Sequence, residues 1–203
     1  MDEGIISSID AGSLQTGRDK TAPIIPSGVL AMLIFVAAEI MFFAALISAF
    51  LIIKSGALFW PPPMQPRLPV ATTAFNTCIL LLSGWLTYRA NRSFSRSEML
   101  NITKKLLGLS ILLGAFFVLF QGYEWLRLIH FGLTMTSSPY GSFFYLIIGA
   151  HGLHALAALL ILTYVYFKLK RSRLASSEFW TAQVFWYFVV GVWPVLYILV
   201  YLT

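Results

Sequence analysis

The sequence predicts an all-α membrane protein, a bundle of five transmembrane helices with a cytoplasmic N-terminus and an external C-terminus. Three observations lead to this prediction. Hydrophobic residues make up 59% of the 203-residue chain and charged residues only 11%, whereas soluble domains are about 25% charged. The apolar residues form continuous runs long enough to cross a membrane as helices, not the alternating pattern of barrel strands. The basic residues cluster between those runs, mostly on one side of the membrane.

The chain divides into a polar tail at 1–27 and one five-helix domain at 28–203. The tail contains Asp2, Glu3, Arg18 and two prolines. We expect it to be retained, because a secretory signal would place positive charge before a short apolar core and a cleavage site. A helical span needs about 20 mainly apolar residues. The runs of that kind lie at 27–53, 68–88, 105–130, 142–167 and 179–202.

The lysines and arginines set the predicted orientation, because basic loops stay in the cytoplasm. Most of them lie in the tail, in the loop after the second span or in the loop after the fourth span, which share one side of the membrane. Only Lys54, Arg67 and Arg127 lie on the other side. Topology therefore explains the net charge of +6 without a nucleic-acid partner. The single cysteine, Cys78, excludes an internal disulfide framework.

Four side chains inside the apolar runs are the candidate functional residues. Glu39 lies roughly 18 Å along the first span at 1.5 Å per residue, near the middle of the membrane. Glu124 lies near the outer end of the third span. His151 and His154 are three residues apart in the fourth span, so both imidazoles are predicted to face one neighbour. Ionisable groups at membrane depth are costly and usually point into protein or a cavity.

Two interpretations of Glu39 stay open. It belongs to a proton path or contacts a lipid head group or a partner subunit, or it is a protonated or hydrogen-bonded structural residue against a neighbouring helix.

For the histidines, a haem iron would need imidazoles from opposite faces, and another metal would need further ligands. His130 is the only other histidine and lies at the outer edge. The sequence therefore favours buried histidines hydrogen-bonded between helices, and predicts no metal ligand and no catalytic residue.

Several motifs follow one another in the chain. They are AEIMFF around Glu39, WPP at Trp60, NTCILLLSG at 76–84, FQGYEW containing Glu124, and YGSFFYLIIGAHGLH at 140–154, before an aromatic last span. With these motifs in this order, residues 28–203 resemble subunit III of the haem–copper oxidases, the cytochrome c oxidase and quinol oxidase group. The chain is similar to the short five-helix form found in bacteria.

The resemblance implies an accessory subunit of an enzyme complex in the bacterial plasma membrane, with no redox centre of its own. Haem and copper would lie in partner subunits I and II, which also receive electrons from cytochrome c or quinol. The chain would bind structural phospholipids and would support proton uptake and stability, with Glu39, Glu124, His151 and His154 at the matching polar positions.

One departure from the family pattern keeps alternatives open. The family's last helix typically reads W-H-F-V-D, whereas this chain has Tyr187 and Val190 at the histidine and aspartate positions. The departure favours a divergent oxidase type or a related accessory protein, such as a subunit III-like accessory of a nitric oxide reductase. A stand-alone lipid-binding or transport protein is the alternative from another functional class.

Overall fold

The structure is a computed structural model that describes residues 26–60, 68–94 and 99–202. Within these ranges the chain is helical, and five helices are long and apolar enough to cross a membrane. The prediction of an all-α, five-helix protein is confirmed. Most of the predicted tail, the prolines after Trp60 and the middle of the second loop lie outside the described residues. The helices are α1 (Ser27–Gly56), α2 (Val70–Phe94), α3 (Leu100–His130), α4 (Pro139–Lys170) and α5 (Ser176–Leu196).

The helices run beyond the predicted spans at their polar ends. α2 continues past position 88 through Arg89 and Arg92, and α3 begins before Lys105. The backbone hydrogen bonds of a helix can continue beyond the hydrocarbon core of the membrane. Lysine and arginine can lie in these end turns because their long side chains reach the polar interface. The apolar runs therefore locate each helix but underestimate its length.

α5 lies at the centre of the bundle and contacts α1, α2 and α4. Two of its three tryptophans, Trp186 and Trp193, are completely buried. Beyond Pro194, which has no amide hydrogen to donate, the chain continues as a wider π-helical turn at Tyr197–Leu202.

A glycine lets α2 approach α5 closely, and a glycine of α3 leaves room for a long side chain of α5. A Cβ added to Gly114 of α3 would lie 2.7 Å from Trp186, and one added to Gly84 of α2 would lie 2.9 Å from Val190. Between α2 and α3, the Ser110 hydroxyl lies 2.6 Å from the Thr87 hydroxyl and 2.8 Å from the Ser83 carbonyl oxygen. Close packing and short hydrogen bonds of this kind hold membrane helices together.

α1 lies at the edge of the bundle. Only Val29, Phe43 and Phe50 of this helix are buried, and it packs against α5 and α4. Many of its other apolar side chains, such as Ile34 and Met41, are exposed.

A tight turn fixes α4 against α3. Gly132 has a positive φ of 88° that favours glycine, and the Ser138 side chain accepts a hydrogen bond from the Gly141 amide at the start of α4. A Cβ on Gly141 would lie 2.3 Å from the Thr134 carbonyl oxygen. The turn therefore leaves no room for a side chain there, and it sets how the candidate histidines of α4 face their neighbours.

Candidate functional site

Glu39 and His154 form a pair between α1 and α4. The Glu39 Oε2 atom lies 3.0 Å from His154 Nε2, and the two side chains are 19% and 17% exposed. Each is therefore mostly enclosed but reachable from one side. The sequence singled out both residues but did not pair them.

The other imidazole nitrogen determines where the protons of this pair lie. His154 Nδ1 is 2.7 Å from the backbone carbonyl oxygen of Ala150. A carbonyl oxygen only accepts hydrogen bonds, so Nδ1 carries a hydrogen. The short contact between Nε2 and Glu39 then needs one proton between them, carried either by the carboxyl oxygen or by the imidazole. In both arrangements the pair holds one exchangeable proton and has no net charge.

Aromatic rings surround His154. The ring centroids of Phe43, Phe188 and Phe185 lie 5.5, 6.2 and 6.4 Å from the imidazole, each roughly edge to face. An apolar surrounding of this kind strengthens electrostatic interactions and keeps competing water away. It therefore favours a well-defined contact between the carboxyl group and the imidazole.

His151 has a different environment, although it also contacts Phe43. It is 2% exposed, and its ring lies 5.0 Å from the indole of Trp193, whose Nε1 donates to Thr77 Oγ1 at 2.9 Å. Its Nε2 atom has no hydrogen-bond partner in the part of the chain that the structure describes. The two imidazoles therefore share Phe43 but not their other partners, and the hydrogen bond between helices predicted for both is present only at His154.

Glu124 is not part of this pair. It is buried in α3, and its carboxylate lies 3.5 Å from Arg127 Nη1, one helical turn further on. The structure gives no hydrogen bond between Glu124 and either histidine. The four candidate residues therefore lie in three places: Glu39 pairs with His154, His151 packs on Trp193, and Glu124 pairs with Arg127.

A buried polar chain between α2, α3 and the π-helical turn was not predicted from the sequence. Asn76 Nδ2 donates to the Phe117 carbonyl oxygen at 3.2 Å and lies 3.5 Å from Gln121 Oε1. Gln121 Nε2 donates to the Tyr201 hydroxyl at 3.0 Å. The polar residues Asn76 and Gln121 inside apolar runs were the available signal for these contacts.

The two positions that depart from the family pattern have neutral packing roles. Val190 packs against Gly84, and the Tyr187 hydroxyl accepts a hydrogen bond from Gln183 one turn earlier. Among the described residues, no three histidine, cysteine, aspartate or glutamate side chains form a group that could hold a metal ion.

Comparison with known proteins identifies similar chains. The family model of cytochrome c oxidase subunit III matches residues 12–203. A probable cytochrome c oxidase subunit 3 of Nocardia farcinica is 31% identical over 83% of this chain and 84% of its own length. The cytochrome c oxidase subunit 3 of Synechocystis is 30% identical over 84% of this chain and 73% of its own length. The corresponding protein of Bacillus subtilis is 31% identical over 83% of both chains.

Proposed function

Because the chain belongs to the cytochrome c oxidase subunit III family, we propose that it is the accessory third subunit of a bacterial respiratory haem–copper oxidase. Subunits I and II carry the haem and copper and receive electrons from cytochrome c or quinol. This chain spans the plasma membrane beside them and takes part in oxygen reduction and proton pumping only within the assembly. It supports proton uptake, binds phospholipids and stabilises the catalytic subunit.

The Glu39–His154 pair carries the proton part of this proposal. A proton shared by Oε2 and Nε2 would account for their 3.0 Å separation and for the contact of Nδ1 with a carbonyl oxygen on the other side of the ring. A mostly enclosed pair can therefore hold a proton and pass it on at membrane depth, where a single ionised group is costly.

The proposed stabilising role is supported by the edge position of α1. Many apolar side chains of this helix are exposed. A helix of the catalytic subunit could pack against this exposed face, because membrane helices associate through close packing of their side chains.

The names of the reported relatives favour the oxidase over the nitric oxide reductase alternative, since each is named a cytochrome c oxidase subunit 3. The departure at Tyr187 and Val190 adds no charged or metal-binding group that would favour the alternative.

Isolation of the chain from native membranes in mild detergent tests the proposal. We expect two larger haem- and copper-bearing subunits in equal amount, visible by mass spectrometry and in a reduced-minus-oxidised spectrum, together with oxygen consumption. A copper signal from subunit II would identify cytochrome c as the donor. A complex that reduces nitric oxide would replace the proposal with the reductase alternative, and a colourless chain that purifies alone would support the stand-alone alternative.

A further inference from the structure

A groove of about 280 Å³ lies between α3 and α4, separate from the Glu39–His154 pair. Glycines keep this groove open. A Cβ added to Gly122 of α3 would meet nothing within 4 Å, and one added to Gly149 of α4 would have only the Trp125 ring nearby, at 3.9 Å. The groove therefore has room for a ring between the two helices, because larger side chains are missing from both walls.

Aromatic rings border this space. At Gly152 the Trp125 indole lies 3.1 Å from an added Cβ, so this ring covers the α4 backbone. The indole of Trp193 also lines the groove and is completely buried, and the His151 imidazole lies 5.0 Å from it. Aromatic surfaces favour another planar ring in offset or edge-to-face contact. A flat, apolar ligand would therefore fit here.

Two residues of the groove have a nitrogen without a partner. Trp125 Nε1 and His151 Nε2 are buried and have no hydrogen-bond partner among the described residues. An indole N–H can only donate, and a neutral imidazole can carry its single N–H on Nε2 and donate as well. A buried donor without an acceptor lowers stability. The ligand that suits this groove therefore brings oxygen acceptors to both nitrogens.

The two donors lie deep in the membrane. α4 has 32 residues and is roughly 48 Å long, so a hydrocarbon core of about 30 Å centred on it begins roughly 9 Å from Pro139. His151 lies roughly 18 Å from Pro139 on the same scale. The Trp125 ring lies beside Gly152, the next residue of α4. Both donors are therefore inside the core, whereas the ester and head groups of a phospholipid lie at its edge.

A membrane quinone combines the required properties. Its ring is planar, and its two carbonyl oxygens accept hydrogen bonds. The ring is uncharged, so it can enter the hydrocarbon core without the cost of an ionised group. Its isoprenoid chain is apolar and can lie among lipid chains. A fatty acid, by contrast, would bring an ionisable carboxyl group to this depth.

We propose that the groove between α3 and α4 binds the ring of a membrane quinone, whose carbonyl oxygens accept hydrogen bonds from Trp125 Nε1 and His151 Nε2. The isoprenoid chain leaves the groove beside Leu153 and Leu156, which line it and are exposed on the surface of α4. This inference goes beyond the proposed function, since it adds a ligand to this chain. It concerns binding alone, and it requires neither quinol as the electron donor of the complex nor the Glu39–His154 pair.

Photo-labelling of the assembled complex tests this site. The complex is reconstituted in bilayers of phosphatidylethanolamine and phosphatidylglycerol and illuminated with a ubiquinone analogue that carries an azido group on its ring. Mass spectrometry of the digested chain then locates the label. We expect it on residues that line the groove. An excess of unlabelled short-chain ubiquinone or menaquinone should abolish this labelling, whereas added phosphatidylcholine should not.

A variant that fills the groove makes the result specific. Gly122→Leu adds a side chain to the groove without a backbone clash, and we expect labelling of α3 and α4 to fall by about tenfold or more. Gly191→Leu is the matched control. It also adds a side chain where a Cβ has open space, but outside the groove, and should leave the labelling unchanged.

Two further variants test the donors. Trp125→Phe and His151→Phe each keep an aromatic ring and remove one donor. Each should raise the quinone concentration needed for half-maximal labelling by about two- to tenfold, the effect of one lost hydrogen bond. Trp180→Phe and His130→Phe are the controls, because both residues are exposed and lie outside the groove, and they should leave this concentration unchanged.

Three results would overturn the inference. Label confined to the partner subunits, with α3 and α4 unlabelled, would remove the site. Label that phosphatidylcholine displaces as well as a quinone does would show that the groove holds an acyl chain instead. Unchanged labelling in both Trp125→Phe and His151→Phe would contradict the assigned donors. The proposed oxidase role survives each of these results, since it fails only if the chain purifies without haem- and copper-bearing partners.

Discussion

The Glu39 carboxyl group and the His154 imidazole are 3.0 Å apart and join α1, the least buried helix, to α4. The backbone carbonyl oxygen of Ala150 holds the opposite side of the imidazole at 2.7 Å. The orientation of the imidazole is therefore fixed by a hydrogen bond within α4, independently of Glu39. A proton in this pair has two defined positions, one on Oε2 and one on Nε2.

Replacing Glu39 by glutamine should leave assembly intact and lower sustained turnover several-fold. The amide can still donate a hydrogen bond to His154 Nε2, but it cannot release a proton in the physiological range. Oxygen consumption over many turnovers and the rate of inactivation measure the effect. Glu178→Gln is the matched control, because Glu178 pairs with Lys168 in the last turn of α4, away from His154. A fully assembled Glu39→Gln complex with unchanged turnover and inactivation would contradict the proton role.

Replacing His154 by alanine should destabilise the complex by about 1 to 3 kcal/mol, because it leaves a mostly enclosed carboxyl group without its partner. The haem spectrum should not change. Thermal unfolding of the purified complex measures the loss. In the double variant Glu39→Ala/His154→Ala the loss should be clearly smaller than the sum of the two single alanine losses, since each alanine removes the same contact. Full additivity would indicate that the two side chains do not interact.

Replacing His151 by alanine should cost about 2 to 5 kcal/mol, because it removes a buried ring packed on Trp193. Again no haem absorption band should disappear. His151→Phe keeps the ring contact and removes the unpartnered nitrogen, so it should recover most of the lost stability. Loss of a haem band with all polypeptides still assembled would show that His151 is a ligand after all.

Replacing Gly114 by valine should destabilise the bundle by about 1 to 3 kcal/mol through overpacking. The new side chain would meet the buried ring of Trp186, which lies 2.7 Å from the position of the Cβ. Gly191→Val is the control, since a Cβ there has open space. Thermal unfolding of both variants in the same detergent provides the comparison, and equal midpoints would argue against close packing of the Trp186 ring on Gly114.

The sequence was sufficient for the number of helices and for the ionisable residues inside the apolar runs, but not for the buried polar contacts of Asn76 and Gln121. Long apolar runs reveal each helix because the membrane forces every backbone polar group to bond within it. The same runs do not show which helices are neighbours, because helix surfaces that face lipid and those that face other helices are both apolar. Glu39 and His154 lie on the first and fourth helices, and their contact depends on how α1 packs against α4 and α5.

The environments of the two histidines illustrate the same limit. Their spacing places them on one side of α4, and both do contact Phe43. His154 meets a carboxyl group of α1, whereas His151 meets an indole of α5. This difference arises from the lateral positions of α1 and α5, which cannot be derived from the periodicity of α4. The ion pair of Glu124 with Arg127 is different, because residues three apart on a helix are neighbours in any packing arrangement.

The arrangement of the helices also bears on how the protein is made. α2 and α3 are consecutive and pack along each other, so they can associate as soon as both are in the membrane. α1 is synthesised first, yet its main contacts are with α4 and α5, the last helices to leave the ribosome. α1 therefore lacks its principal partner until α5 has been synthesised, and termination before α5 would leave it without that partner. Quality control that recognises unassembled membrane helices would find its clearest target in α1.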